Sequence, residues 1–158
     1  MTQNLAVKNM KELPAPQFAA LRNLTVSDHQ EILGKSFIES IDDWEAASHD
    51  QVLGLCFLLE EQPVGLTLFK KQPPHSASIH GLKITTPWQR QGLGHLAFQL
   101  ALEQLKLAWP EVTQLALAVD AENIPAIKIY KAAGMSDSGP VFQGPNGQEH
   151  RMTLQLKG

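Results

Sequence analysis

The alternation of apolar and polar residues along the chain predicts a series of short strands. Two apolar runs, 52–59 and 64–69, flank the turn Glu60–Pro63 and predict a hairpin. The run 112–119 is almost continuously apolar, which is typical of a strand that is buried on both faces. In chain order, the predicted strands are 18–26, 52–59, 64–69, 74–84, 112–119, 137–142 and 150–156.

Apolar residues that recur every three or four positions predict three helices between these strands. The first follows Ser27-Asp28, a pair suited to capping a helix N-terminus, and its apolar stripe includes Phe37 and Ile41. The second spans 93–109. The third spans 125–133 and ends at Gly134, a residue type favoured just after a helix.

The order of these elements predicts one mixed sheet with helices on both faces. A chain of 158 residues has room for a single domain, which we place at 15–158. Residues 1–14 are weakly patterned and lead into Pro14-Ala15-Pro16, so they are predicted to form a tail or an extended lead-in.

Charge and composition exclude several classes of protein. The formal net charge is −3, whereas a general nucleic-acid or anionic-membrane binder needs a basic surface. Cys56 is the single cysteine, so no internal disulfide can form. No apolar run has the length of a signal peptide or of a spanning helix, and we therefore expect a cytoplasmic protein.

The segment Gln89-Arg90-Gln91-Gly92-Leu93-Gly94-His95 is the first candidate for chemistry. It joins a predicted strand to a predicted helix, and its glycines allow a ligand to approach the backbone closely. The amides at a helix N-terminus attract an anion such as a phosphate. Taken alone, the segment is equally typical of a helix start that needs tight packing.

Two common phosphate loops fit this segment poorly. A Walker loop needs Gly-Lys-Ser/Thr, but Gly94 is followed by His95. A dinucleotide fingerprint needs an acidic residue about 20 positions on. Asp120 ends the next predicted strand but lies too far along the chain, so a dinucleotide-binding module is the weaker alternative.

A second pattern, Asn123-x-x-Ala126-x-x-x-Tyr130-x-x-x-Gly134-Met135, begins just after the strand 112–119. Together with Leu82-Lys83-Ile84-x-x-x-Trp88-Gln89-x-x-Gly92-x-Gly94, it resembles the GNAT family of acyl-coenzyme A N-acyltransferases. The resemblance in motif covers about 79–135. Two positions depart from the family pattern, because Met135 stands where phenylalanine is usual and Thr86 where proline is frequent.

The resemblance implies a mixed, mainly antiparallel α/β sheet of six or seven strands flanked by about four helices. It implies transfer of an acyl group, most often acetyl, from acetyl-coenzyme A as cosubstrate to an amine. The amides near Arg90–His95 would hold the pyrophosphate, and the backbone of Leu82 and Ile84 would pair with the pantetheine arm. The implied cofactor-binding residues are Leu82, Lys83, Ile84, Gln89, Arg90, Gln91, Gly92, Leu93, Gly94, His95, Asn123, Ala126 and Tyr130.

Two side chains are candidate catalytic groups for direct attack of the amine on the thioester, with no covalent enzyme intermediate. Tyr130, the single tyrosine, falls where the resemblance asks for the acid that protonates the leaving thiolate. His80 is the candidate base, because strand alternation would put it on the same face as Leu82 and Ile84. A structural histidine is an equally good interpretation of His80.

The acceptor is expected to be a small-molecule, peptide or protein amine. Asp42, Asp43 and Glu45 could line its site and favour a cation. No histidine spacing indicates a metal site, and a homodimer is left open. The competing interpretation is a non-catalytic coenzyme A-binding sensor or interaction module.

Overall fold

The computed structural model describes residues 4–24, 36–85, 93–137, 142–144 and 147–156, apart from the side chains of 142–144 and 147. Its helices and strands follow one another in an order that closes a single sheet. They are β1 (Leu5–Asn9), α1 (Ala15–Arg22), α2 (Phe37–Ala46), β2 (Val52–Leu59), β3 (Gln62–Gln72), β4 (Ser76–Ile84), α3 (Leu93–Ala108), β5 (Gln114–Asp120), α4 (Ile124–Ala132), β6 (Ser136–Asp137), β7 (Phe142–Gly144) and β8 (Gly147–Gln155).

The sheet has the strand order β1-β2-β3-β4-β5-β8-β6, and β7 pairs with β8. Every described pairing is antiparallel except that between β4 and β5, which is parallel. The prediction of a mixed, mainly antiparallel sheet is therefore confirmed.

Helices cover both faces of the sheet and bury a separate core on each. On the α3/α4 face, Phe98 and Leu105 of α3 and Tyr130 of α4 pack on β4, β5 and β8. On the α1/α2 face, Leu21 of α1 and Ile41 of α2 pack on β2 and β3. The two cores hold the sheet from both sides, as the element order predicted.

The structure corrects the sequence interpretation of residues 5–22. Leu5–Asn9, predicted to lie in a tail or an extended lead-in, forms strand β1, which pairs with β2 at the edge of the sheet. The predicted strand 18–26 overlaps helix α1, in which Pro16 occupies the first turn, and residues 25 and 26 lie outside the described part of the chain. Proline is accepted there because the first helical amides have no partner within the helix, and Leu21 then turns into the core.

Helix α2 begins at Phe37 with a cap of its own, and the predicted cap at Ser27-Asp28 lies outside the described residues. Ser36 caps the helix, and a capping box joins its side chain and backbone to Glu39. The Ser36 hydroxyl accepts a hydrogen bond from the Glu39 amide at 3.1 Å, and the Glu39 carboxylate accepts one from the Ser36 amide at 2.9 Å.

The remaining predicted elements agree with the structure to within a few residues, with one correction at β5. The hairpin β2–β3, strand β4 and helices α3 and α4 lie where the pattern placed them. In the closing hairpin, β8 is confirmed, whereas residues 138–141 lie outside the described part. Strand β5 is not buried on both faces, because Ala118 is exposed on the α1/α2 face. The prediction was misled by Ala116 and Ala118, which are apolar in sequence but lie on the less buried face of the strand.

The single cysteine is part of the core. Cys56 is fully buried in β2, and its burial raises the pKa of the thiol from 9.0 to about 12. A thiol with this environment is a small apolar side chain and not a nucleophile.

This burial predicts a loss of stability in alkaline solution. The thiol of the unfolded chain ionises near pH 9. The contribution of the buried Cys56 thiol to the free energy of unfolding is therefore complete below that pH and disappears as pH rises toward about 12. We expect the unfolding midpoint in urea to fall between pH 8 and pH 10.5 and to fall less steeply in Cys56→Ala. If the urea midpoint falls equally steeply with pH in the two proteins, the loss of stability does not come from the Cys56 thiol.

Candidate active site

Strands β4 and β5 lie side by side over a short distance and then separate. Their parallel pairing runs from Ser76–Gln114 to Ser78–Ala116, and no later pair joins them. Strand β4 nevertheless continues to Ile84 and β5 to Asp120. The sheet therefore opens into a cleft at the carboxyl ends of its two parallel strands, the edge at which open α/β sheets commonly bind ligands.

A β-bulge in β4 lies beside this cleft. Leu68 of β3 is opposite His80, whereas Leu66 is opposite Lys83, so β4 carries one extra residue between them. Gly81 adopts a φ of 75° there, a conformation that glycine accepts without steric cost.

The bulge reverses the alternation of side chains, and this corrects the placement of His80. Ile79 lies in the core of the α3/α4 face, and after the bulge Leu82 and Ile84 pack on that same face. His80 therefore lies on the opposite, α1/α2 face, not on the face of Leu82 and Ile84. There it is exposed and shares a hydrogen bond with Ser78, whose Oγ lies 2.7 Å from His80 Nε2.

The three residues of β4 next to the cleft differ in burial. Leu82 is half-buried, whereas Ile84 is buried in the core. The Lys83 side chain is also buried, and its Nζ lies 2.6 Å from the position that a Cβ on Gly81 would occupy. Because Ser40 Oγ lies near the same position, the lysine side chain is directed toward α2.

Helix α3 starts at this edge of the sheet and packs closely on α4. A Cβ on Gly94 would lie 2.6 Å from Ile129 Cδ1, so the absence of a side chain at Gly94 permits the contact. Leu93 is buried, and His95 is half-buried with its Nε2 accepting from Gln99 Nε2 at 3.2 Å. The other predicted pyrophosphate-loop residues, Gln89, Arg90, Gln91 and Gly92, lie outside the described residues.

Helix α4 begins directly after β5 and is capped by Asn123. The Asn123 side-chain oxygen accepts a hydrogen bond from the Ala126 amide at 3.4 Å. This cap gives Asn123 and Ala126 a structural role at the edge of the cleft. The Asn123 amide nitrogen takes no part in that bond.

Tyr130 lies on the second turn of α4, where it meets the start of α3. Its ring packs edge-on against Phe98 with the ring centroids 5.3 Å apart. Burial raises the pKa of the Tyr130 phenol above its ordinary value of 10.0, because ionisation would place a charge in the core. The hydroxyl therefore stays protonated throughout the neutral range.

Two of the acidic residues of α2 that were predicted to line an acceptor site form ion pairs with helix α1. Arg22 of α1 binds Asp42 and Glu45, each through a contact of 3.3 Å. These two carboxylates therefore connect α2 to α1 across the outer surface. Asp43, the third member, is half-buried.

Sequence reasoning missed a pair of carboxylates at the end of β5. Asp120 is buried, and Glu149 lies directly opposite it on β8. Sequence reasoning considered Asp120 only as the acid of a dinucleotide site. Two features of the sequence could have indicated this geometry. One is the carboxylate of Asp120 at the end of an apolar strand, and the other is Gly81 within β4, which marks a bulge.

The family comparison assigns most of the chain to one family. The model of the acetyltransferase (GNAT) family matches residues 18–135. The chain therefore belongs to the GNAT acetyltransferase family. No curated protein matches it in the corresponding search.

Solved structures extend the similarity over nearly the whole chain. Spermidine N-acetyltransferase from Vibrio cholerae, in complex with CoA and spermine, is 17% identical with a TM-score of 0.74, over 96% of this chain and 95% of that one. The aminoglycoside acetyltransferase AAC(6')-Ib with paromomycin and acetyl-CoA is 16% identical with a TM-score of 0.74, over 96% and 93%. A ribosomal-protein-alanine N-acetyltransferase from Escherichia coli is 16% identical with a TM-score of 0.69, over 96% and 94%.

The described residues hold neither a membrane-spanning helix nor a cluster of metal ligands. No helix among them has the length and apolar character needed to cross a membrane. They also contain no group of three metal-ligand side chains.

Proposed function

We propose that this protein transfers an acetyl group from acetyl-coenzyme A to a primary amine. The observation that carries the proposal is the cleft between β4 and β5, which lies beside the start of α3 and beside a buried phenol. The structural neighbours bound to CoA or acetyl-CoA support the choice of cosubstrate.

The described residues fit a thioester carried on a long pantetheine arm. Where β4 and β5 separate, an extended chain can lie along β4 as an added strand. We assign this contact to the backbone of Leu82 and Ile84, and we assign polarisation of the thioester carbonyl to the Ile84 amide. The Asn123 amide nitrogen would bond the arm from the α4 side, and the amides around 90–95 would receive the pyrophosphate.

The reaction forms one C–N bond and breaks one C–S bond. An uncharged amine attacks the thioester carbon, the carbonyl oxygen becomes negative, and collapse of this intermediate expels the thiolate. Tyr130 donates its proton to that sulfur, and the attacking nitrogen loses one proton, so the number of protons is the same before and after the reaction. A phenol, with an ordinary pKa of 10.0, carries the required proton at neutral pH.

His80 is the proposed base for the acceptor amine. Its position on the α1/α2 face separates it from the helices α3 and α4 that carry Tyr130 and the pyrophosphate amides, so acid and base would act from opposite faces of the sheet. A histidine has a reference pKa of about 6.5 and accepts protons effectively near neutral pH.

Replacing His80 with glutamine is expected to remove the rise of kcat/KM for the amine near neutral pH and to lower its plateau about 100-fold. The pH profile of thiol release measures both effects. His75→Gln is the matched control, since His75 is an exposed histidine outside the cleft. A profile of His80→Gln that coincides with the wild type would make His80 structural.

The function is tested by two measurements on the same preparation. Thermal shifts with acetyl-coenzyme A, NAD and ATP should show stabilisation by acetyl-coenzyme A alone; stabilisation by NAD or ATP would favour a nucleotide-binding module. Thiol release is then measured against amino acids, polyamines, aminoglycosides and peptides. Binding of acetyl-coenzyme A without turnover by any amine would favour the non-catalytic binding module.

A further inference from the structure

Asp120 carries a buried oxygen whose hydrogen-bonding capacity is unused. The residue is 6% exposed. Its Oδ1 accepts a hydrogen bond from the Glu122 amide at 2.9 Å, which forms the turn between β5 and α4. Its Oδ2 is buried and has no hydrogen-bond partner within the described part of the chain. A buried carboxylate oxygen without a donor is costly, so this atom calls for a cationic or hydrogen-bonding ligand.

A second carboxylate increases this cost. Glu149 stands directly opposite Asp120 in the antiparallel pair of β5 and β8, and like charges in this arrangement repel each other. No ion pair among the described residues involves either carboxylate. Arg151, two residues along β8, is exposed and lies opposite Ala118.

Both carboxylates lie on the α1/α2 face of the sheet, at the mouth of the cleft. Leu117 and Val119 point into the core of the α3/α4 face, and strand alternation therefore turns Ala118 and Asp120 to the other side. His80 lies on that same face across the cleft. The buried Lys83 side chain lies beside Gly81 on β4, near Ser40 of α2.

We propose that Asp120, supported by the charge of Glu149, binds the ammonium group of the acceptor and positions it beside the thioester. This inference rests on the proposed acetyl transfer and names the form in which the acceptor enters, as an alkylammonium cation. Asp120 holds the cation through Oδ2, while Oδ1 stays bound to the Glu122 amide. Removal of the proton from the bound ammonium falls to His80, and the released amine then attacks.

Asp120→Asn separates ligand binding from the structural role of this residue. Asparagine keeps an oxygen for the Glu122 amide and replaces the unused carboxylate oxygen with a neutral NH2 group. Because the substitution removes a buried, uncompensated charge, we expect the melting temperature to stay level or rise. Glu122→Gln is the matched control, since it removes an exposed negative charge two residues away from the same turn.

The first measurement is binding without catalysis. At constant ionic strength, propylammonium chloride should raise the melting temperature of the wild type and of Glu122→Gln but not of Asp120→Asn, and 1-propanol should affect none of them. Stabilisation of Asp120→Asn equal to that of the wild type would overturn the proposal, whether or not the protein proves to be an acetyltransferase.

The second measurement is turnover with the amine found active above. We expect Asp120→Asn to lower kcat/KM for that amine at least about 30-fold, the lower end of what loss of one member of a buried charge pair costs. The KM for acetyl-coenzyme A and the rate with hydroxylamine, which is uncharged near neutral pH, should change little. Equal losses with the amine and with hydroxylamine would show a general disturbance of the site and refute the assignment. Absence of any amine transfer by the wild type refutes the proposed function alone.

Discussion

Replacing Tyr130 with phenylalanine is expected to lower kcat by about 100- to 10,000-fold, the usual effect of removing a general acid. The loss arises because an alkyl thiolate is a poor leaving group unless a proton reaches the sulfur as the C–S bond breaks. The chain has no other tyrosine, so no second phenol can take over the role. Steady-state release of coenzyme A, measured with saturating amine, tests the prediction.

The same variant should leave folding and cosubstrate binding nearly unchanged. Its aromatic ring keeps the edge-on contact with Phe98, and only the hydroxyl is lost. We therefore expect the KM for acetyl-coenzyme A to stay within about twofold of the wild type and the melting temperature to stay level, as for other substitutions that preserve core volume. Phe98→Leu is the matched control for disturbed packing, because it removes the ring contact and keeps the phenol.

The two variants distinguish acid catalysis from packing. A full rate for Tyr130→Phe would mean that water supplies the proton and that Tyr130 serves only the core. A loss of rate in Phe98→Leu as large as that in Tyr130→Phe would mean that ring placement, and not the proton, limits the reaction. The acid assignment requires a large kcat effect in Tyr130→Phe together with unaltered stability.

The parts of the fold that sequence predicted well are those in which local pattern and burial agree. Helix α3 has an apolar surface and a proline just beyond its end, and β2 is apolar at every position, so each pattern has one structural interpretation. The strand prediction was wrong over residues 18–22, because the apolar residues of this segment also fit one side of a short helix. In the helix, Leu21 is buried against the sheet in the core of the α1/α2 face. Such a tertiary contact is absent from any local window.

The candidate site shows the same division at the level of single residues. Gly94 and Tyr130 lie on α3 and α4, the helices to which the motif spacing assigned them, because the family resemblance covers that part of the chain. The face of His80 could not, because one extra residue in β4 reverses every side chain that follows it. The unused oxygen of Asp120 is likewise a product of burial and of pairing with β8, which no spacing along one strand reveals.

The contact between β3 and β4 at Gly65 is expected to be the point in this region that is least tolerant of a side chain. A Cβ on Gly65 would lie 2.2 Å from the carbonyl oxygen of Lys83 and 2.9 Å from Ile84 Cδ1. The backbone carbonyl belongs to the sheet and cannot rotate away, so β4 must shift. Because the Ile84 backbone is assigned to the cosubstrate, the shift reaches the cleft.

We therefore expect Gly65→Ala to lower the free energy of unfolding by about 3 kcal/mol, the upper part of the range for overpacking, and the melting temperature by roughly 6–12 °C. The KM for acetyl-coenzyme A should rise in the protein that remains folded.

Gly94→Ala is the matched control for stability. Its new Cβ would meet Ile129 Cδ1, the mobile end of a side chain, and alanine also favours the helix. We expect Gly94→Ala to change the free energy of unfolding by less than about 1 kcal/mol, as surface and flexible positions do. Urea unfolding of the two variants measures the difference, and equal destabilisation would show that backbone approach at Gly65 does not set the spacing of β3 and β4.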